Sequence, residues 1–269
     1  MVKSRKPWEG TSWIKQRTMP KVPQIKNNGQ VVNSLDLLFD KMHEQFAQSA
    51  LLPAATDFIK GLPQRDIRPW SPFSALKLND ALLTCSNASA PGPSHLYWEY
   101  LKLLLKDDQF RTFFLQLAND LIQCGVWPDV FKDSVTVIIP KPNKEDYSKA
   151  KSYQPIALLE CPCKLISKII ANRLQSDAIV YNIAHLLQFG GLCHHSTIDA
   201  GLYVTEYITK ACNTGLYTMA LALDAAQFFP SLNKEIIVKL LLKEEFNPIL
   251  LPFFNDYYSG RSTQYLWNQ

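Results

Sequence analysis

Glycine is scarce in this chain, with only 10 among 269 residues, whereas proline is common at 17. Glycine-rich loops that cradle phosphates need several closely spaced glycines, so this scarcity disfavours that class of site. Frequent proline instead indicates helices that are separated by rigid, proline-bounded connections. A hydrophobic content of 47% and a charged content of 19% are typical of a globular chain with a sizeable core.

The sequence also has no apolar run that approaches the length of a membrane span, and no apolar segment follows the basic residues at its start. We therefore expect no secretory signal, no membrane contact and an intracellular location, for which the nucleus is one option. The six cysteines fit no CxxC pairing, so reduced thiols are expected. Cys193, His194 and His195 are adjacent, but no second ligand pair stands at a usual zinc-binding spacing.

Positive charge is concentrated in two stretches, although the net charge is only +4. Residues 1–30 carry seven lysine or arginine residues and one acid, and residues 132–173 carry eight and four. Such concentration is expected of a protein that binds a polyanion. Solvated lysines on exposed faces explain the same pattern, so charge alone leaves both interpretations open.

Changes in composition divide the chain into four segments. The first is polar, basic and interrupted by proline, which is typical of a peripheral arm. The second combines one amphipathic helix with a proline-rich linker, and the other two show regular hydrophobic periodicity. The segments are a basic arm at 1–33, the helix and linker at 34–73, a helix-rich region at 74–215, and a strand and helix at 216–269.

The periodic segments predict a mixed, helix-rich α+β fold. Two short apolar strands at 135–139 and 156–159 flank a lysine-rich polar loop, which indicates a β-hairpin. A third apolar strand, 216–223, ends at Asp224, and Asn233 is the expected N-cap of the helix after it. Helices with one apolar face are predicted at 34–50, 75–85, 96–105, 110–121, 164–174 and 197–212.

One acid, Asp224, is the most informative candidate for chemistry. It follows an apolar run and precedes the adjacent aromatic residues Phe228 and Phe229. An acid at the tip of a strand supplies one of the hard oxygen ligands that a divalent cation needs, and phosphoryl transfer usually needs more than one. Taken alone, however, the residue is more simply an exposed aspartate at the end of a strand.

Four short strings of residues follow one another between residues 89 and 231. They are Ser89–Pro93; Ile138–Lys144 with Lys151–Leu159; Gln188–Gly190 with Ser196–Ala200; and Leu223–Asp224 with Gln227–Ser231. Together and in this order they resemble the reverse transcriptase of non-LTR (LINE-type) retrotransposons, particularly copies common in fungal genomes. Any one string is a weak signal, but the four in order are specific. The resemblance runs from about residue 70 to the end, and more weakly upstream.

The resemblance implies a right-hand polymerase that copies RNA into DNA, of which this chain holds the fingers and the start of the palm. It implies an RNA template, a DNA primer and deoxynucleoside triphosphates as partners, and two Mg²⁺ ions as cofactors. The first palm aspartate of the family binds both ions, and Asp224 matches it. Phe229 matches the aromatic residue that excludes a ribose 2′-hydroxyl by steric clash. A core aromatic packed beside Phe228 is the alternative for Phe229.

Two residues of the predicted hairpin match positions that bind the triphosphate in this family. Lys141 lies where basic residues cover the phosphates and offset their charge, although a solvated loop lysine is the alternative. Gln154 stands where the family usually has arginine, so it can donate hydrogen bonds but brings no charge. The sequence departs from the family at Ser94 as well, where the turn often ends in aspartate.

Two further groups of residues match or adjoin the parts of the family that contact nucleic acid. Gln188, Phe189 and Gly190 resemble the segment that lies near the template. Lys164 and Lys168, on the helix after the hairpin, could face nucleic acid or could belong to an ordinary solvated helix face.

After the palm aspartate the family continues with a glycine-containing loop and then a Tyr-x-Asp-Asp hairpin, which carries the second metal-binding acid. Residues 261–268 resemble the stretch just before that loop, and the neighbours of Asp256 do not form the missing hairpin. We therefore expect a truncated copy that is inactive alone, because one carboxylate cannot hold two Mg²⁺ ions. A non-catalytic nucleic-acid-binding module and a non-functional relic are the alternatives.

Overall fold

The computed structural model describes residues 24–32, 34–46, 56–63, 65–225, 228–229 and 231–266. Helices dominate these residues and two small sheets complete them, which confirms the helix-rich α+β class. Most of the predicted basic arm lies outside the described residues. The elements are β1 (Lys26–Asn27), β2 (Gln30–Val31), α1 (Leu35–Phe46), α2 (Asp57–Lys60), α3 (Ala75–Leu83), α4 (Trp98–Leu104), α5 (Asp108–Cys124), β3 (Asp133–Pro140), β4 (Tyr153–Leu158), α6 (Cys161–Val180), α7 (Thr197–Asn213), α8 (Lys234–Lys243), α9 (Leu250–Tyr257) and β5 (Ser262–Leu266).

The larger sheet has three strands in the order β4-β3-β5. The predicted hairpin is confirmed, because β3 and β4 pair antiparallel with Ile139 opposite Gln154. Strand β5 was not predicted, and it pairs parallel with the other edge of β3. Hydroxyl groups join these two strands: the Oγ1 atoms of Thr136 and Thr263 lie 2.7 Å apart.

The main core lies among α3, α4, α5, α6 and α9. The ring of Trp127 is fully buried at its centre and meets Phe253 edge-on, with the ring centroids 5.5 Å apart. Helix α5 ends at Gly125, which has a φ of 66°. A Cβ atom at Gly125 would stand 2.4 Å from Cβ of Pro252, so this glycine allows α5 and α9 to approach closely.

A second, smaller core lies between the hairpin and the N-terminal elements. The described part of the predicted arm is itself a short hairpin, β1–β2, and it is fastened to the larger sheet. The backbone N–H of Gln24 donates to the Tyr153 hydroxyl at 2.9 Å, and that of Lys26 donates to the Ser148 carbonyl at 3.0 Å. The buried members of this core are Ile25, Leu38, Met42, Ile138 and Tyr153.

The predicted strand at 216–223 is wrong. Residues 216–225 have no regular structure, and they pair with no strand in the described part of the chain. A strand is stable only beside a partner that takes its backbone hydrogen bonds. Here the N–H of Leu216 donates to the Ala211 carbonyl at 2.9 Å, which closes the end of α7, and Leu221 is 81% exposed.

The predicted helices are present, with shifts at their ends. Helix α6 extends beyond the predicted 164–174 at both ends, and its earlier start is compatible with Pro162 in the first turn. Helix α8 begins as predicted after Asn233, whose side chain accepts hydrogen bonds from the backbone N–H groups of Glu235 and Ile236. Helix α9 was not predicted. Among the described residues, every helix is too short or too polar to cross a bilayer.

Candidate functional site

The β3–β4 hairpin brings Lys141 and Gln154 to one open face. Gln154 is exposed and lies opposite Ile139, which is 45% exposed. The N–H of Lys141 donates to the Ser152 carbonyl at 2.9 Å, so the ladder continues to Lys141, two residues after Ile139 and on the same face. The other face packs on α1 through Tyr153. The two predicted triphosphate ligands therefore share a surface that is open to a nucleotide.

Local hydrogen bonds orient Lys141. Its Nζ atom donates to the Lys151 carbonyl at 3.1 Å, and its own carbonyl accepts from the Tyr147 hydroxyl at 2.8 Å. An ammonium group has three donors, so two N–H groups of Lys141 remain for a phosphate oxygen or water. The side chain is held at the base of the loop rather than extended freely into solvent.

The first of the four strings, Ser89–Pro93, forms a turn that packs against the junction of β4 and α6. A Cβ atom at Gly92 would stand 2.5 Å from the backbone nitrogen of Glu160, so only glycine fits without displacing that backbone. Glu160 is buried and binds Ser94 of the same turn. Two strings that are far apart in sequence are therefore in direct contact.

The two predicted nucleic-acid lysines of α6 donate to backbone carbonyls. Lys164 Nζ lies 2.6 Å from the Ala90 carbonyl, and Lys168 Nζ lies 3.3 Å from the Thr84 carbonyl. Both side chains are half-buried, and they hold the segment that precedes α4 against α6. Contact of Lys164 and Lys168 with nucleic acid stays a prediction.

Phe189 of the third pair of strings contacts residues on either side of its partner string, Ser196–Ala200. The Phe189 ring is half-buried, 5.7 Å from His195 and 6.2 Å from Tyr203 between ring centroids. Gln188 Nε2 donates to the Gly190 carbonyl at 2.7 Å, which closes this segment into a tight loop. The loop therefore packs against the start of α7, and its predicted place near a template stays a prediction.

The described residues of the fourth string are open to solvent. Asp224 is exposed and makes no hydrogen bond or ion pair within the described part of the chain. Phe229 is 80% exposed and touches Phe228 edge-on at 5.4 Å, which argues against the alternative of a core aromatic. Gln227 and Pro230 of this string lie outside the described residues.

The described residues do not form a two-ion site around Asp224. Its carboxylate is the kind of oxygen donor that Mg²⁺ prefers. Yet no group of three or more histidine, cysteine, aspartate or glutamate side chains able to hold a metal occurs among the described residues. The magnesium ions implied by the resemblance therefore stay a prediction.

Asp256, the acid noted near the end of the sequence, has a structural role. Its Oδ2 atom accepts from the backbone N–H of Trp127 at 2.6 Å, and its Oδ1 atom accepts from Lys132 Nζ at 3.0 Å. These two hydrogen bonds lower the pKa of the Asp256 carboxyl, and the one from Trp127 has the larger effect. The carboxylate fastens α9 to the segment before β3.

The chain is similar to RNA-directed DNA polymerases of mobile elements. It is 26% identical over 263 residues to a probable RNA-directed DNA polymerase from transposon X-element of Drosophila melanogaster, covering 94% of this chain and 28% of that protein. It is 25% identical over 233 residues to one from transposon BS of the same species, covering 82% and 25%. The polymerase from mobile element jockey of Drosophila funebris is 23% identical over 194 residues, covering 72% and 21%.

These homologues indicate the RNA-directed DNA polymerase region of a retrotransposon. The chain spans about a quarter of the length of the curated polymerases it matches. No protein-family model matches the sequence. The resemblance to a reverse transcriptase is thus confirmed at the level of homologous polymerases from Drosophila, while a closer likeness to fungal copies stays a prediction.

Proposed function

We propose that this chain is the part of an RNA-directed DNA polymerase that binds the incoming nucleotide, as the fingers and the start of the palm of a right-hand enzyme. Its partners would be an RNA template, a DNA primer and deoxynucleoside triphosphates. The register of the hairpin carries the proposal, because it puts Lys141 and Gln154 on one open face. Homology to the polymerases over 94% of the chain supports it.

Each site residue would then have a distinct task. The Lys141 ammonium would offset phosphate charge, and the Gln154 amide would donate a hydrogen bond to a phosphate oxygen. Phe229, already exposed, would exclude the 2′-hydroxyl of a ribonucleotide. Asp224 would supply one carboxylate to a divalent cation.

Binding of a fluorescent deoxynucleoside triphosphate to the whole chain tests this assignment. Lys141→Gln should weaken binding about tenfold, because one charge-assisted hydrogen bond to phosphate is lost. The matched control is Lys106→Gln, which removes the same charge from an exposed position two residues after α4. Equal affinities for the wild type and Lys141→Gln would overturn the assignment, as would an equal loss in the control.

We further propose that residues 1–269 alone do not extend a primer. The support is chemical, since in-line transfer with two Mg²⁺ ions needs more carboxylates than Asp224 supplies. The test is primer extension on an RNA template with Mg²⁺ or Mn²⁺. Template-dependent incorporation of deoxynucleotides that Asp224→Asn abolishes would refute this part of the proposal.

A further inference from the structure

A polar pocket of about 540 Å³ lies between the N-terminal hairpin, α1 and the loop that precedes β4. Four lysines from these three elements converge on it, although they are separated by more than a hundred residues of sequence. Only Ile25 and Ala150 contribute apolar side chains. The lining lysines are Lys26, Lys41, Lys149 and Lys151.

Carboxylates neutralise only half of this charge. Lys41 Nζ pairs with Glu44 at 3.2 Å, and Lys149 Nζ pairs with Asp146 at 3.0 Å. Lys26 and Lys151 have no carboxylate partner in the described part of the chain. Exposed ion pairs contribute little stability, so an added phosphate can compete for the paired lysines as well.

Hydrogen bonds and a small core hold the backbone around this pocket in place, which distinguishes its lysines from lysines scattered over a surface. The backbone N–H of Lys26 donates a hydrogen bond to the Ser148 carbonyl, and the Ser152 hydroxyl donates to the Asp146 carbonyl at 2.5 Å. The second core lies directly beneath, with Ile25 shared between core and pocket. The backbone segments that carry the four lysines are therefore held next to one another around the pocket.

We propose that this pocket binds the phosphate backbone of a single RNA strand, on the side of the hairpin opposite Lys141 and Gln154. Its lining supplies charge and polar groups but no aromatic ring, which suits phosphates rather than bases. The hydrogen bond from Lys141 to the Lys151 carbonyl connects it to the candidate nucleotide face. The choice of RNA rests on the proposed function, whereas the charge arrangement does not.

The experiment measures binding of a labelled single-stranded RNA of about 20 nucleotides to the whole chain, between about 50 and 200 mM salt. The Lys26→Gln/Lys151→Gln variant should bind roughly tenfold more weakly near 0.1 M salt, with a salt slope smaller by about 1.4. Lys26→Arg/Lys151→Arg, which keeps both charges, should retain wild-type affinity. Thermal melts confirm that all variants are folded.

The control variant is Lys106→Gln/Lys239→Gln, which removes two exposed charges remote from the pocket in sequence. Equal weakening by the pocket and control variants would overturn the proposal, as would unchanged RNA binding in the pocket variant or no binding by the wild type. Deoxynucleotide binding in the same samples separates the two proposals. If deoxynucleotide binding depends on Lys141 but RNA binding does not depend on the pocket lysines, only this inference fails. If RNA binding depends on the pocket lysines but deoxynucleotide binding does not depend on Lys141, only the proposed function fails.

Discussion

The buried carboxylate of Glu160 accepts two hydrogen bonds from Ser94, one from the backbone N–H at 2.7 Å and one from the hydroxyl at 2.5 Å. Ser94 ends the proline-rich turn, and Glu160 is the residue that precedes α6. The contact explains one departure from the family. An aspartate at position 94 would place a second carboxylate against a buried one, and two like charges in such a site repel.

Ser94→Asp should therefore destabilise the chain more than Ser94→Ala does. The alanine variant loses one hydrogen bond to a buried carboxylate, at a cost of about 1–3 kcal/mol. The aspartate variant adds charge repulsion to that loss. Urea unfolding curves measure both effects.

The matched control for that comparison is the Ser94→Asp/Glu160→Gln double variant. The glutamine amide can donate to the new aspartate, so much of the lost stability should return. If Ser94→Asp is as stable as the wild type, the carboxylate of Glu160 does not govern this turn.

Gly92→Ala should cost about 1–3 kcal/mol of folding free energy, because the added methyl group meets backbone atoms that cannot rotate away. Gly201→Ala is the matched control, since nothing lies within 4 Å of its Cβ position inside α7. Alanine there should stabilise the helix by about 0.5–1 kcal/mol. Unfolding midpoints in urea should move in opposite directions, and a shared direction would contradict the packing described for Gly92.

Acid should weaken the hydrogen bonds that Asp256 accepts from Trp127 and Lys132. Because its folded pKa is lowered, this carboxyl stabilises the fold above its unfolded pKa of about 4, and that contribution is lost as pH falls through the lower folded value. The wild type should therefore lose stability between about pH 5 and pH 3 more steeply than Asp256→Asn does. Asp129→Asn, which removes a 98% exposed partner of Lys132, should follow the wild-type profile. Parallel profiles for the wild type and Asp256→Asn would refute this role.

The hairpin could be predicted from sequence because its signals are local. Two short apolar runs, the polar loop between them and Pro140 mark β3 and β4 without knowledge of the rest of the chain. Strand β5 has no such signal, since Ser262, Thr263 and Gln264 are polar. It is stabilised by β3, more than 120 residues earlier, through paired hydroxyl groups such as those of Thr136 and Thr263.

The same dependence on distant residues explains why the strand at 216–223 was predicted wrongly and why the contacts of Lys164 and Lys168 were not foreseen. The apolar run that ends at Asp224 has strand-like residues, but a strand also needs a neighbour, and local sequence does not reveal whether one is present. Periodicity placed Lys164 and Lys168 on a polar face of α6. It could not show that unpaired carbonyls of Ala90 and Thr84 lie within reach of those ammonium groups.

Gln154→Arg should strengthen binding of a deoxynucleoside triphosphate by roughly tenfold, because it adds a planar cation on the face that Lys141 shares. Gln154 is exposed and the facing Ile139 is half-exposed, so the longer side chain can be accommodated without disturbing the core. Gln116→Arg, an exposed position on α5, is the matched control for added charge and should leave nucleotide affinity unchanged. The gain in Gln154→Arg should be altered in the Lys141→Gln background, because two side chains that contact the same phosphates are coupled. Unchanged affinity in Gln154→Arg, or an equal gain in Gln116→Arg, would contradict a nucleotide site on the face that the β3–β4 register creates.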